Sequence, residues 1–283
     1  MNSENKKVGL ALGGGGARGL AHIGVLKVLE REGVQISCVA GTSMGGMLGA
    51  LYTRGMSPDE IEAEVLHFTR IRRLLRLVDI SLRLRGAGVL KGHRIYRFMT
   101  EKLGENLTFA ELKMPFAVVT TDLKSGREVI LTKGSVAAAV RATISVPAIF
   151  EPVEFNEYRL VDGGMLNNVP VDVAHNLGAE MVIAVDVLPN FCANQPGGPI
   201  IVQPLTHKYL PESAQATYNV QLVMIAAITE LRLRQSPPDL LIRPDLPTDM
   251  GLFTGFESPA TAIAAGELAA ERSLPQLKAL LGI

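Results

Sequence analysis

The sequence predicts one α/β domain over residues 1–283, a three-layer α/β/α arrangement with helices on both faces of a mostly parallel central sheet. Short apolar runs rich in β-branched residues alternate with longer stretches of helical spacing, which is typical of strands joined by crossover helices. No linker separates the chain into two halves. A chain of 283 residues is also long enough to bury one large core.

The composition is that of an ordinary globular protein, with 47% hydrophobic and 20% charged residues. The net charge is zero, so we expect no general attraction to nucleic acid or to an anionic membrane. Cys38 and Cys192 form no disulfide framework, which suits a reducing compartment. The polar N-terminus argues against a signal peptide, and no apolar run reaches the ~18 residues that span a bilayer. These features predict a soluble cytoplasmic protein.

The chain begins with a predicted strand over Val8–Leu12, a glycine loop over Gly13–Gly19 and a helix from about Leu20 to Glu32. Unpaired N–H groups where a glycine loop enters a helix favour any negative charge. One use for such groups is an oxyanion hole.

The same loop satisfies the dinucleotide fingerprint with Gly14, Gly16 and Gly19. That fingerprint also requires an acidic residue at the end of the next strand, where this chain has Ala40 to Ser43. Nucleotide binding is therefore the weaker alternative for the loop.

The central motif is Gly41-x-Ser43-x-Gly45, which follows a predicted buried strand from Ile36 and precedes a predicted helix from Met47. In a sharp strand-to-helix turn, side chains at the two glycine positions would collide with the neighbouring elements, and the serine is pushed outward. The N–H of Met44 can then help to bind an oxyanion. The alternative is a glycine-rich turn whose serine only caps the helix.

The remaining elements alternate in the same way. A helix starts at Ser57 and Pro58, where serine is a suitable N-cap and proline suits the first turn. The further predicted helices are Gly92–Leu103, Ser135–Ala142, one that begins at Pro170, Ala214–Arg234 and Pro259–Leu281. The further predicted strands are Pro115–Thr121, Glu128–Thr132, Glu151–Phe155, Tyr158–Val161, Met181–Val187 and Leu240–Ile242.

Two stretches have an unusual composition. Arg70 to Arg85 holds six arginines and a single acid among apolar residues at helical spacing. A surface helix docked on the core is the favoured interpretation, and the alternative is a peripheral contact with the inner face of a membrane. Pro189 to Pro211 is rich in Pro, Gly, Asn and Gln, which predicts a long mobile loop.

A serine nucleophile needs a base, because its hydroxyl is a weak nucleophile at neutral pH. Asp162 ends an apolar strand and precedes two glycines, at the kind of strand end where sites assemble in α/β sheets. An Asp that only turns the chain is the alternative. His207 is the only histidine late in the chain and in a loop-like stretch, so a Ser43–Asp162–His207 triad is also open.

Four blocks of the sequence, taken in order, resemble the patatin-like phospholipase family. They lie within residues 8–170 and are specific as a set, whereas the C-terminal third adds little. The blocks are Gly13–Gly19, Gly41–Gly45, the Ser-x-Pro block within Ala142–Pro147, and Asp162–Gly164.

The resemblance implies a Ser–Asp dyad without histidine, with Ser43 as the nucleophile and Asp162 as the base. It also implies that backbone N–H groups around Gly14, Gly15 and Gly16 form the oxyanion hole. Arg18 stands where the family carries a basic residue beside that hole.

The function that we expect is that of a serine acyl-ester hydrolase, and the resemblance implies phospholipid, lysophospholipid or another fatty-acyl ester as its substrate. The substrate is then a lipid or other acyl ester, and no nucleic-acid partner is expected. No metal or other cofactor is implied, because no His, Cys or carboxylate cluster has ligand spacing. The alternative is a regulatory or binding protein that retains the site with little turnover. The head group, the acyl chain and the oligomeric state stay open.

Overall fold

Eight strands form one mixed sheet in the computed structural model, which describes residues 6–69, 90–189, 212–252 and 254–283. The strands are β1 Val8–Leu12, β2 Ile36–Thr42, β3 Phe116–Asp122, β4 Arg127–Leu131, β5 Val153–Phe155, β6 Tyr158–Asp162, β7 Met181–Val185 and β8 Leu240–Ile242. Hydrogen-bonded neighbours follow the path β5-β6-β3-β2-β1-β7-β8, and β4 pairs with β3 as well. The β3, β2, β1, β7 and β8 strands are parallel, whereas β4, β5 and β6 pair in antiparallel fashion.

The register along β3 brings two strand ends together. The β4 strand pairs with β3 over Val118–Asp122, so β2 and β6 both lie along the opposite edge of β3. Thr42 at the end of β2 pairs with Val119. Asp162 at the end of β6 pairs with the next residue, Thr120. The carboxyl ends of β2 and β6 therefore meet at this edge.

Helices cover both faces of the sheet. They are α1 Ala21–Arg31, α2 Met44–Arg54, α3 Pro58–Thr69, α4 His93–Leu103, α5 Val136–Thr143, α6 Val171–Asn176, α7 Glu212–Gln235 and α8 Pro259–Leu281. Short 3-10 turns span Gly16–Leu20, Phe109–Glu111 and Gly163–Met165.

Strand alternation separates two apolar cores. Leu10 and Leu12 of β1 face the larger core, which α1 to α5 and α8 complete. Ala11 between them faces the smaller core, built with α6 and with Leu233 of α7. Since successive side chains of a strand point to opposite faces, the two cores lie on opposite sides of the sheet. The predicted three-layer α/β/α fold is confirmed.

Two glycines let α1 and α8 cross in close contact. A Cβ at Gly24 would lie 2.0 Å from the carbonyl oxygen of Ile263, and one at Gly266 would lie 2.0 Å from that of Ala21. Neither position has room for a larger residue. The contact anchors the C-terminal helix to the helix that follows the glycine loop.

The predicted elements agree closely with the structure over the described residues. Ser57 caps α3 as expected, since the Glu60 N–H donates to its Oγ at 3.2 Å. The main difference lies at the elbow, where β2 continues to Thr42 and α2 already begins at Met44. Small residues at positions 45 and 46 let the helix start against the end of β1, so the turn is confined to Ser43.

Several predictions lie outside the described residues. The basic stretch Arg70–Arg85 does, and so does the predicted loop from residue 190 onward, including His207. Membrane contact through the basic stretch and a mobile loop thus stay predictions. In the part of the chain that the structure describes, no helix has the length and apolar character needed to cross a membrane.

Candidate active site

Ser43 is the single residue between β2 and α2, and its backbone is strained. Its φ is 53° and its ψ is −120°, a backbone conformation that residues other than glycine rarely adopt. A Cβ at Gly41 would lie 2.7 Å from backbone atoms of Gly45, and one at Gly45 would lie 2.1 Å from the carbonyl oxygen of Leu12. The predicted reason for both glycines is confirmed: only hydrogen fits where the strand turns into the helix.

Asp162 meets Ser43 at the edge of β3. Its Oδ1 accepts a hydrogen bond of 2.8 Å from the N–H of Gly164, and its carboxyl group interacts with the side chain of Ser43. A Cβ at Gly163 would lie 2.3 Å from the carbonyl oxygen of Val119. The first glycine after the aspartate therefore lets the chain turn directly against β3.

Burial dominates the electrostatics of Asp162. Loss of solvation raises the pKa of its carboxyl group to about 6, although the bonds from Ser43 and from the Gly164 N–H act in the opposite direction. Tyr218 of α7 is also buried, and burial together with the charge of Asp162 raises the pKa of its phenol. A carboxyl group with a pKa near 6 is mostly ionised at neutral pH and is a better proton acceptor than an ordinary aspartate.

The glycine loop lies against the same cavity. Gly14, Gly15 and Gly16 line it together with Ser43 and Asp162. The N–H of Gly14 donates to the carbonyl oxygen of Asn168 at 3.3 Å. No hydrogen bond to another described residue uses the N–H of Gly15 or of Gly16. Within the described residues, these two N–H groups of the loop are thus left without an acceptor.

Met44 is the first residue of α2, so its N–H has no acceptor within the helix. Its side chain packs against Gly19, where a Cβ would lie 2.4 Å from the Met44 Cγ. The residue is adjacent to the nucleophile candidate, but it is not among the residues that line the cavity.

Arg18 lies behind the glycine loop rather than in the cavity lining. Its Nε donates to the carbonyl oxygen of Val187 at 2.6 Å and its Nη1 to that of Pro247 at 2.9 Å. Burial lowers the pKa of its guanidinium to about 10. These two contacts tie the loop to two other segments, and neither donor nitrogen is bound to Ser43.

Asn168 is a site residue that the sequence did not reveal. It lines the cavity, and its Nδ2 donates to the carbonyl oxygen of Gly14 at 3.2 Å. Since its own carbonyl accepts from the Gly14 N–H, Asn168 holds Gly14 at both polar groups. The sequence predicts only a helix that begins at Pro170 in this region, and the closeness of Asn168 to Asp162-Gly163-Gly164 in the sequence is the available signal.

The rest of the lining is mostly apolar. Helix α7 contributes Tyr218, Gln221, Leu222 and Ile225. The Oε1 of Gln221 is buried without a hydrogen-bond partner among the described residues. The other apolar side chains are Val146, Pro147, Met165, Leu188 and Leu252. The site thus joins a polar end at Ser43 to a largely aliphatic wall.

The described histidines lie away from this cavity. His22, His67, His93 and His175 do not line the cavity. His22 is bound to the carbonyl oxygen of Gly13 at 2.7 Å, and burial lowers its pKa to about 4. Among the residues that the structure describes, no three His, Cys, Asp or Glu side chains come together as metal ligands.

The family model described as patatin-like phospholipase matches residues 10–175. An uncharacterized NTE family protein of Mycobacterium tuberculosis is 33% identical over 278 residues, which cover 95% of this chain and 46% of that protein. A second such protein of the same organism is 36% identical over 185 residues, with 65% of this chain and 50% of that protein covered. The chain therefore spans about half the length of these mycobacterial relatives.

The neuropathy target esterase sws of Drosophila melanogaster is 33% identical over 184 residues, which are 64% of this chain and 13% of that protein. Among solved structures, VipD from Legionella pneumophila has a TM-score of 0.53 at 14% identity, with 96% of this chain and 67% of that chain covered. At that identity the likeness concerns the fold alone.

Proposed function

Because the chain belongs to the patatin-like phospholipase family, we propose that it hydrolyses fatty-acyl esters of lipids, with Ser43 as the nucleophile and Asp162 as the general base. The observation that carries the proposal is the meeting of these two side chains at the joined ends of β2 and β6. The substrate class is phospholipid, lysophospholipid or another fatty-acyl ester.

In the first step, Asp162 takes the proton of the Ser43 hydroxyl as Oγ attacks the ester carbonyl. A pKa of about 6 leaves this carboxyl group mostly ionised at pH 7. The developing oxyanion needs donors fixed in place before the reaction. The N–H groups of Gly15 and Gly16 are suited to that role, with Met44 as a further candidate.

In the second step, the protonated Asp162 returns its proton to the departing alcohol, and an acyl-Ser43 intermediate remains. Asp162 then accepts a proton from the water that attacks the acyl carbonyl, and it returns this proton to the Ser43 Oγ as the fatty acid leaves. No metal or other cofactor is required for these steps. The aliphatic wall formed by Val146, Leu222 and Ile225 favours an acyl chain beside Ser43.

The test is hydrolysis of a short-chain p-nitrophenyl ester, followed by phospholipid and lysophospholipid micelles. We expect Ser43→Ala and Asp162→Asn each to lose at least about 1,000-fold in kcat. The double variant should lose little more, since residues of one catalytic unit are not additive. His207→Ala should be active, and its inactivity would favour the Ser43–Asp162–His207 triad.

Asp186→Asn is the matched control for Asp162→Asn. Asp186 is also a buried acid just past a strand end, but it pairs with Arg243 at 3.1 Å and does not line the cavity. We expect it to retain activity per folded molecule. Labelling of Ser43 by a fluorophosphonate without turnover of any lipid would instead support the alternative of a regulatory or binding protein.

A further inference from the structure

Thr143, the last residue of α5, lies directly against the nucleophile turn. Its side chain is fully buried. Its Oγ1 accepts a hydrogen bond of 2.8 Å from the N–H of Ser43 and donates one of 2.6 Å to the carbonyl oxygen of Val119. A hydroxyl group can do both at once. The side chain therefore links the backbone of Ser43 to β3.

The link acts where the backbone is strained. Ser43 has a φ of 53°, and such a conformation persists only where the surroundings hold it. The bond to Thr143 is the one that the described residues give to the Ser43 N–H. Without the Thr143 hydroxyl, the buried N–H of Ser43 would lose its acceptor. Ser43 is also the residue whose side chain must point at the substrate.

The same short segment also holds the aspartate. The N–H of Asp162 donates to the carbonyl oxygen of Ser145 at 3.0 Å. The Ser145 hydroxyl in turn is bound to the buried Arg141. The end of α5 thus fixes the backbone of Ser43 through Thr143 and the backbone of Asp162 through Ser145.

We propose that Thr143 is a positioning residue whose hydroxyl holds the Ser43 turn and thereby sets the alignment of the Ser43 Oγ with the Asp162 carboxyl. The inference rests on the proposed function, because it concerns the same site. Thr143 does not line the cavity, so it acts through Ser43 and not on the substrate. Loss of its hydroxyl should lower kcat and leave KM nearly unchanged.

Two substitutions separate the hydroxyl from the methyl group. The methyl carbon of Thr143 faces Gly46, where a Cβ would lie 3.0 Å from it. Thr143→Val keeps this methyl and loses the hydroxyl, whereas Thr143→Ser does the reverse. We expect Thr143→Val to lower kcat by about 10- to 100-fold, the scale of a small misplacement of a reacting group. Thr143→Ser should stay within about 3-fold of the wild type, and KM should change by less than about 2-fold in both.

Thr53→Val is the matched control. Thr53 is equally buried, its hydroxyl donates to the carbonyl oxygen of Gly49 at 2.8 Å, and it does not line the cavity. The same chemical change should there leave kcat per folded molecule unchanged. If Thr143→Val does not fold, Thr143→Ala compared with Thr143→Ser isolates the hydroxyl, since both lack the methyl group.

The pH profile adds a readout that packing alone would not move. The Ser43 side chain lowers the pKa of Asp162, and Tyr218 is the titratable group from α7 that faces this carboxyl. When the serine is misaligned, the acid limb of kcat/KM should move to higher pH in Thr143→Val and stay in place in Thr53→Val. The second-order rate of labelling by a fluorophosphonate should fall by the same factor as kcat.

The outcomes are distinct. A fully active Thr143→Val, or a Thr143→Ser that is the weaker of the two, overturns the positioning role while the proposed function stands. If the wild type shows no Ser43-dependent hydrolysis, the proposed function is overturned. The labelling rates then decide the positioning role. A wild type that is neither active nor labelled overturns both.

Discussion

The carboxyl group of Asp162 and the hydroxyl group of Ser43 interact in a site where only 7% of each residue is exposed. Burial raises the pKa of the acid to about 6, against the effect of the serine and of the Gly164 N–H. The same desolvation that makes Asp162 a stronger base also makes its ionised form costly to the fold. Activity and stability should therefore depend on pH in opposite directions.

The activity should follow the ionised form of Asp162. We expect kcat/KM to rise tenfold per pH unit below about pH 6 and to level off above it, because only the carboxylate accepts the Ser43 proton. The measurement is kcat/KM on a soluble ester from about pH 4.5 to pH 8.5. An acid limb of the kcat/KM profile near pH 4, the range of an ordinary aspartate, would show that the site does not desolvate the Asp162 carboxyl group.

Asp162→Asn should stabilise the protein at neutral pH although it removes activity. A folded-state pKa raised from 3.8 to about 6 means that the fold favours the protonated acid. The stabilisation of the fold by the protonated acid is fully present below about pH 4. As the pH rises through about 6 this stabilisation is lost, which lowers the free energy of unfolding by about 3 kcal/mol. A neutral amide avoids the cost. We expect a higher Tm than the wild type at pH 8 and no difference at pH 4.

Equal Tm differences at pH 4 and pH 8 would contradict this interpretation, because an effect of the amide itself does not titrate. Asp186→Asn provides the comparison, since it breaks the ion pair with Arg243 and should lower the Tm.

Gly45→Ala should strongly destabilise the protein, whereas Gly46→Ala at the adjacent position should change its stability little. A Cβ at Gly45 would lie 2.1 Å from the carbonyl oxygen of Leu12, a backbone atom that cannot move aside. We expect a loss of at least about 3 kcal/mol in the free energy of unfolding. A Cβ at Gly46 meets a side-chain methyl at 3.0 Å, and alanine is favoured over glycine within a helix by about 1 kcal/mol.

Urea denaturation of both variants checks the pair. Gly46→Ala should differ from the wild type by less than about 1 kcal/mol. Similar large losses in both would mean that the whole first turn of α2, and not one contact with β1, excludes side chains.

Arg18→Lys should affect the fold more than the chemistry. A lysine keeps the charge but cannot reach both carbonyl groups, those of Val187 and Pro247, that the guanidinium holds. We expect a loss of about 1–3 kcal/mol in the free energy of unfolding. Labelling of Ser43 per folded molecule should change by less than about 3-fold. The opposite result, a large fall in labelling with stability unchanged, would place Arg18 in the oxyanion hole.

The sequence was sufficient for the elements and for the turn that carries Ser43, because both follow from local rules. Apolar periodicity located the strands, and the spacing of Gly41, Ser43 and Gly45 has one structural meaning between a strand and a helix. Asp162 could be singled out in the same way, from its position at a strand end before two glycines.

The partners of these residues could not be predicted from local rules. Thr143 contacts Ser43 through one hydrogen bond and Asn168 contacts Gly14 through two, and no periodic pattern marks contacts between such distant parts of the chain. The orientation of Arg18 was hidden for the same reason, since its acceptors are carbonyl groups that any residue could supply. The raised pKa of Asp162 depends on burial that only the assembled cavity creates.

The arrangement of strand ends along β3 also has a consequence for refolding. The site joins three strand ends from separate parts of the sequence: Ser43, Asp162 and the glycine loop. Ser43 and Asp162 are fixed only when both β2 and β6 have paired with β3. Contacts of such long sequence separation form slowly. In a refolding experiment, reactivity toward a fluorophosphonate should appear after the helical circular dichroism signal has recovered. Labelling of Ser43 would then report the completion of the sheet, which no signal from helix formation can do.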